Sequence, residues 1–281
     1  RTAPRDALVA DSIQEQQRGL AFGFHRAADT AGAMLGFIIA LLVTWLAQRG
    51  STLLSASTFR TIVIISVFPA ALAVLALAIG VKETSKKKQH AMPKFAFKRL
   101  GKPFMTFMLI VAIFDLGNSS DAFLVLRAQE RGLNILGILG MLITFNLIYT
   151  LISTPAGALS DRIGRRRIIV AGWLIYAAIY LGFALARTGV HIWLLYVIYG
   201  LYYGLAYGTS KAMVADLVPE ALRGTAYGTY NGILGILDLP ASVIAGILWQ
   251  GFGTWEGVGA GCSFYFGAGM DLLAVILLVI W

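Results

Sequence analysis

The feature that most constrains this chain is a series of uninterrupted apolar stretches, each about twenty residues long. The stretch Ile62–Gly80 carries no charged residue. A helix needs about 20 apolar residues to cross the roughly 30 Å of bilayer hydrocarbon. Eight segments read as crossings, at about 20–47, 59–81, 104–126, 133–156, 168–187, 191–214, 225–249 and 263–281. Helices are the expected form, because backbone groups in lipid must find their partners within the segment. A barrel would need alternating strands of about ten residues, and Ile62–Gly80 does not alternate. Composition agrees: 58% of residues are hydrophobic and 13% charged, against about a quarter charged in soluble domains. The expectation is an all-α membrane protein.

The net charge of +9 would suggest nucleic acid in a soluble chain. Here the basic residues lie between the apolar runs, so no nucleic-acid partner is expected; the partner is the bilayer. They also divide by side. Seventeen fall on one side: Arg1, Arg5, Arg18, Lys82, Lys86, Lys87, Lys88, Lys94, Lys98, Arg99, Lys102, Arg162, Arg165, Arg166, Arg167, Lys211 and Arg223. Five fall on the other: Arg49, Arg60, Arg127, Arg131 and Arg187. Lys and Arg collect on the cytoplasmic side, so residue 1 is placed there and the first span runs outward. The basic connection 82–103 reads as a solvated linker that helps set topology, or as a contact for anionic headgroups with a short amphipathic helix near Phe95 and Phe97. The single cysteine, Cys262, allows no disulfide or thiolate metal site within the chain.

The chain repeats itself. ALVADSIQEQQRGLAFG at 7–23 returns as AMVADLVPEALRGTAYG at 212–228, with a constant offset of 205 residues from Asp11 to Asp216. Asp, Glu, Arg and three glycines or alanines recur in one register, which chance similarity of apolar segments does not give. Each copy precedes an outward span, so the repeat is parallel, with its axis along the membrane normal. The partner of the span at 104 would then begin about a hundred residues before Arg1, which predicts nearly four further spans there and twelve in all.

The fourth connection reads GALSDRIGRRR, Gly157 to Arg167. It resembles the signature loop of the major facilitator superfamily, Gly-x-Leu-[Ser/Ala]-Asp-Arg-x-Gly-Arg-Arg. The segments RTAPRDALVADS, RGLAFGFHRAADTAGAMLG and LGNSSDAFLVLRA are similar to a branch of uncharacterised prokaryotic permeases in that superfamily. The resemblance implies the major facilitator fold, with this chain equivalent to helices 5–12 of twelve. Residues 1–81 would be the remainder of the N-terminal half, 82–103 the linker and 104–281 the C-terminal half. It also implies a multi-pass protein of a prokaryotic inner membrane. The loop would act as a conformational latch: Gly157, Asp161, Arg162, Gly164, Arg165 and Arg166, with Asp161 engaging the first span near Arg18–Leu20. Gly164 suits the tight turn, since glycine accepts positive φ. Arg18 with Asp11 and Glu15, and Arg223 with Asp216 and Glu220, would complete the charged network. Topology alone is the plainer role of the loop.

Ionisable residues inside hydrocarbon are functional hypotheses. Asp115 lies about 16 Å into its span, near the midplane, with Asn118 one turn on. It reads as a substrate or proton site, or as a helix–helix hydrogen bond. Arg26 and Asp29 meet at i,i+3, as a structural pair or as coupling residues, with His25 beside them. Asp121 is expected to pair with Arg127, and Asp238 to bond backbone freed by Pro240. Asp271 is expected to point inward and is not taken as a ligand. Tyr196, Tyr199, Tyr203 and Tyr207 share one helical face, where Tyr199 and Tyr203 suit an organic solute or core packing. Glycine stripes at 19/23, 200/204/208 and 224/228/232 permit close helix approach.

These readings converge on a secondary transporter of a small organic solute, driven by protons, with efflux antiport ahead of uptake symport. It is expected to be a monomer without cofactor or metal. A receptor or scaffold on the same fold is the alternative. Direct ATP drive is not expected, because no GxxxxGK[ST] loop occurs. A membrane enzyme is disfavoured, because the three histidines lie far apart without metal-ligand spacing.

Overall fold

The structure is a computed structural model describing residues 2–48, 54–80 and 99–281. Most of the basic linker, with Phe95 and Phe97, lies outside the described residues. The elements are helices α1 (Thr2–Asp11), α2 (Arg18–Ala47), α3 (Ala56–Gly80), α4 (Gly101–Gly117), α5 (Asp121–Glu130), α6 (Ile135–Ile163), α7 (Arg165–Leu185), α8 (Gly189–Asp216), α9 (Arg223–Gln250) and α10 (Ala260–Ile280). Short 3₁₀ turns at Glu15–Gln17 and Glu220–Leu222 lead into α2 and α9. Among the described residues eight helical segments are long and apolar enough to cross a membrane, with α4 and α5 together forming one of them.

The third span is not continuous, as its apolar run implied. It breaks at Asn118–Ser120 between α4 and α5. Gly117, Asn118, Ser119 and Ser120 are poor helix-interior residues, because glycine loses backbone entropy and Asn and Ser side chains compete for backbone groups. Ser120 then caps α5, its Oγ accepting from the Ala122 amide at 3.3 Å, and Asp121 sits favourably at the positive end of the new helix.

The repeat extends to the element boundaries. α1 ends at Asp11 and α8 at Asp216; the turns begin at Glu15 and Glu220; α2 and α9 begin at Arg18 and Arg223. Every one of these pairs differs by the same 205 residues. Equal sequence at equal spacing has given equal local structure, down to the extended backbone of Gln14 (ψ 149°) and Pro219 (ψ 152°) before each turn.

Packing relies on small residues where helices cross. α2 runs antiparallel to α6, with Gly19 against Gly157 and Gly23 against the Ser153 carbonyl, so closely that a Cβ on Gly157 would overlap the Gly19 carbonyl oxygen. Further along, the Thr30 and Thr150 hydroxyls bond across the same interface at 2.8 Å. Gly200 and Gly204 of α8 pack on Phe145 and Ile152 of α6. The stripe Gly224, Gly228 and Gly232 differs from its counterpart in α2: a Cβ there would meet nothing within 4 Å among the described residues. Leu109, Leu151, Leu174 and Ile276 are exposed, as suits side chains that face lipid tails.

Candidate functional site

Two regions draw the chemistry together: the basic end of the bundle, and the space beside the break in the third span.

At the basic end, Gly164 turns with φ +99° and places α7 directly after α6. This sets Asp161, in the last turn of α6, against the first turn of α2. Its carboxylate accepts from the Gly19 amide at 2.9 Å and the Leu20 amide at 2.8 Å. Both are amides at a helix start, left without intrahelical acceptors, and the helix dipole favours an anion there. Arg165 donates to Asp161, to Ser160 Oγ at 2.9 Å, to the Glu15 carbonyl at 3.2 Å and to Asp216 at 3.1 Å. Arg166 closes the end of α10 by donating to the Val279 carbonyl. Arg162 is exposed.

The charged network differs from local pairing. Arg18 binds Asp216 at 2.6 Å, and Arg223 binds Asp11. Each arginine reaches the acid of the other copy, rather than Asp11 and Glu15, or Asp216 and Glu220, of its own. The 3₁₀ turn carries each copy's own acids away from its arginine, while the packing of α1 on α9 and of α2 on α8 brings the opposite acid near. Lys211 and Asp6 add a buried pair at 2.6 Å. Neither had stood out in the sequence, although the offset of 205 relates them as well.

Beside the break lie two adjoining cavities. The larger, about 470 Å³, is walled by Asn118, Ser119, Ser120, Asp121, Tyr203, Asp238 and Ser242. The smaller, about 70 Å³, is walled by Asp115, Asn118, Trp173, Tyr202, Tyr203, Tyr207 and Tyr230, among others. Asn118 and Tyr203 belong to both. The larger volume is within the usual range for small-ligand sites, about 300–1,000 Å³. Asp115 is buried, and its Oδ2 has no hydrogen-bond partner. Asp238 is exposed at the larger cavity wall. The Ser120 amide donates to Ser242 Oγ at 3.3 Å, which ties the break to α9.

Arg26 pairs with Asp29 at 2.7 Å and lies 3.8 Å over the ring of Tyr207. Tyr207 lines the smaller cavity, while Arg26 itself is not on its wall. Tyr199 is fully buried behind Tyr203 and is not on either wall. Its hydroxyl donates to Asp121 at 2.7 Å. The expected Asp121–Arg127 pair does not form. Arg127 instead binds Glu130 at 2.6 Å and donates to the carbonyls of Phe183, Ala184 and Ala186 at the end of α7. A cation at a helix C-terminus meets its orphan carbonyls there. Three of the expected transport residues thus line the cavities, Asp115, Asn118 and Tyr203; Arg26 touches only the wall residue Tyr207, with Asp29 bound to Arg26. The break itself had a sequence signal, the run Gly-Asn-Ser-Ser, which the surrounding apolar residues obscured.

Comparisons with known proteins agree with this architecture. The family profile of the Major Facilitator Superfamily matches residues 2–237 and 105–281. An uncharacterized MFS-type transporter of Methanocaldococcus jannaschii is 34% identical over 285 residues, covering 99% of this chain and 68% of its own. The arabinose-proton symporter of Bacillus subtilis is 29% identical over 126 residues, 44% of this chain and 27% of its own. The cis,cis-muconate transport protein of Acinetobacter baylyi is 37% identical over 91 residues, 31% of this chain and 22% of its own. The crystal structure of the human organic anion transporter MFSD10 superposes with a TM-score of 0.73 at 16% identity, covering 98% of this chain and 67% of that one. On the family match along both copies of the repeat, and on a relative aligned nearly end to end, this chain belongs to the Major Facilitator Superfamily of membrane transporters.

Proposed function

We propose that the chain works as a secondary active transporter that moves a small organic solute by alternating access. Residues 1–81 and 104–281 belong to two bodies that rock about the site. The latch of Asp161, Arg165, Arg18 and Arg223 closes the cytoplasmic side and parts when that side opens. Asp115 carries the coupling proton, Asn118 and Tyr203 contact the solute, and Arg26 with Asp29 answers a charged group on it. Proton antiport in the efflux direction is favoured over uptake symport.

The observation that carries this reading is one arrangement: charge pairs clamp one end, while a carboxylate with one buried, partnerless oxygen borders open space beside the break in the third span. A group that binds and releases a proton must have both a low-dielectric seat and a route to water. Asp115 has a buried oxygen without partner and a cavity beside it.

The test is flux driven by a pH jump, with the full chain reconstituted in vesicles. Arabinose and cis,cis-muconate head the solute panel, because relatives carry them. Asp115→Asn is expected to abolish pH-driven movement while leaving solute exchange. Unchanged pH-driven flux in that variant would remove Asp115 from the mechanism.

A further inference from the structure

Behind the break, on the side away from the cavities, α10 crosses α4 at Gly267 and Gly117. A Cβ on either glycine would lie within 2.8 Å of the other's carbonyl oxygen. Asp271 stands at this crossing, one helical turn beyond Gly267. Its side chain is 0% exposed, and neither carboxyl oxygen has a hydrogen-bond partner. Its Oδ1 lies 3.1 Å from the position a Gly117 Cβ would take, so it is aimed at the last residue of α4.

The groups facing it are phenols. Tyr176 and Tyr180 of α7 and Tyr202 of α8 lie within electrostatic reach of Asp271. The ionisable groups nearest it on α4 and α9, Asp115 and Asp238, face the cavities instead. Among the described residues no lysine, arginine or histidine forms an ion pair with it. An unpaired carboxylate enclosed in such a place is heavily penalised by lost solvation, and the neutral acid is not.

Two stacked phenols, not joined to it by hydrogen bonds, lie between it and the cavities. Tyr180, whose buried hydroxyl is also without a partner, stacks on Tyr176 at 4.4 Å. The Tyr176 hydroxyl donates to Asn118 Oδ1, and Asn118 lines both cavities.

We propose that Asp271 is a proton-binding site separate from the solute cavity. In the conformation described here it holds one proton. When the break at Asn118–Ser120 shifts away from α10, water reaches the carboxyl past Tyr180 and Tyr176. The O–H bond then breaks, the proton passes to cavity water, and the carboxylate remains in a hydrated seat. Reclosing requires a proton to return. The inference rests on the transport reading only for its use; proton binding is measurable without transport.

The experiment is infrared difference spectroscopy of the purified full chain in nanodiscs, with pH stepped from about 5 to about 10 to bracket carboxyl and phenol titration. The probe is the proton. Wild type is expected to show a protonated-carboxyl C=O band that disappears at the alkaline end. Asp271→Asn removes it, Tyr180→Phe shifts it, and Asp115→Asn leaves it in place. The proposal falls if the band survives Asp271→Asn, or persists unchanged across the whole range in wild type. It falls equally if the band responds to added sodium at fixed pH rather than to pH. Should Asp271→Asn fail to fold, the wild-type titration and Tyr180→Phe still decide it. Loss of coupled flux in Asp115→Asn with the Asp271 band intact concerns the cavity site alone.

Discussion

Asp6 and Lys211 occupy the same position in the two copies of the repeat, and they bind each other, Nζ to Oδ2 at 2.6 Å, with both side chains almost wholly enclosed. Two equivalent residues can meet only on the axis that relates the copies. Around that point the other pairs are reciprocal: Arg18 to Asp216 and Arg223 to Asp11.

The first prediction concerns that central pair. Lys211→Met leaves the enclosed Asp6 carboxylate with Arg5 alone, at 3.1 Å on its other oxygen, and is expected to destabilise the chain by about 1–3 kcal/mol. Asp6→Asn combined with Lys211→Met should recover most of the loss. Thermal unfolding in detergent micelles measures both. A double variant no more stable than the worse single one would count against a direct pair.

The second concerns Asp161. Asparagine keeps one acceptor oxygen but no charge, and cannot serve both Gly19 and Leu20 amides as well as Arg165. Asp161→Asn should loosen the basic end. A cysteine placed at Ser160, buried at this contact, should then react several-fold faster with a water-soluble maleimide. Equal labelling rates would mean that the contact does not hold this end shut.

Gly157 offers a third test. Any side chain there meets the Gly19 backbone, which cannot yield as a flexible side chain can. Gly157→Ala is expected to cost about 1–3 kcal/mol by overpacking. Gly224→Ala, on the helical stripe that meets nothing within 4 Å, should instead be neutral or stabilising by up to about 1 kcal/mol, through helix propensity. A melting series of the two variants separates them.

The fourth concerns Tyr199. Its hydroxyl holds the Asp121 carboxylate at the start of α5. Tyr199→Phe should cost about 1.5–3 kcal/mol, the usual range for a hydrogen bond to a charged group. In a double-mutant cycle with Asp121→Asn the two effects should be strongly non-additive. Additive effects would dissolve the link.

Much of this architecture can be read from residues alone. The spans are legible because bilayer thickness dictates run length, and the repeat because Asp11, Glu15 and Arg18 return in register. Three matters were not. The break at Asn118–Ser120 is hidden, because hydropathy averages over a window in which the flanking residues dominate. The partners of Arg18 and Arg223 are hidden, because spacing favours neighbours in sequence while tertiary packing delivers the acids of the other copy. Tyr199 reads as cavity wall from its helical face, and only the position of α5 turns it toward Asp121. The last two are contacts between residues remote in sequence, which no local pattern encodes.

The crossed pairing of Arg18 and Arg223 makes each copy depend on the other for its counter-charge. An acid lost at residue 11 leaves a bare guanidinium at 223, not at 18, so any repair must arise in the opposite copy. A change of charge in one segment is therefore felt in the other, and the two are coupled physically although they lie about two hundred residues apart.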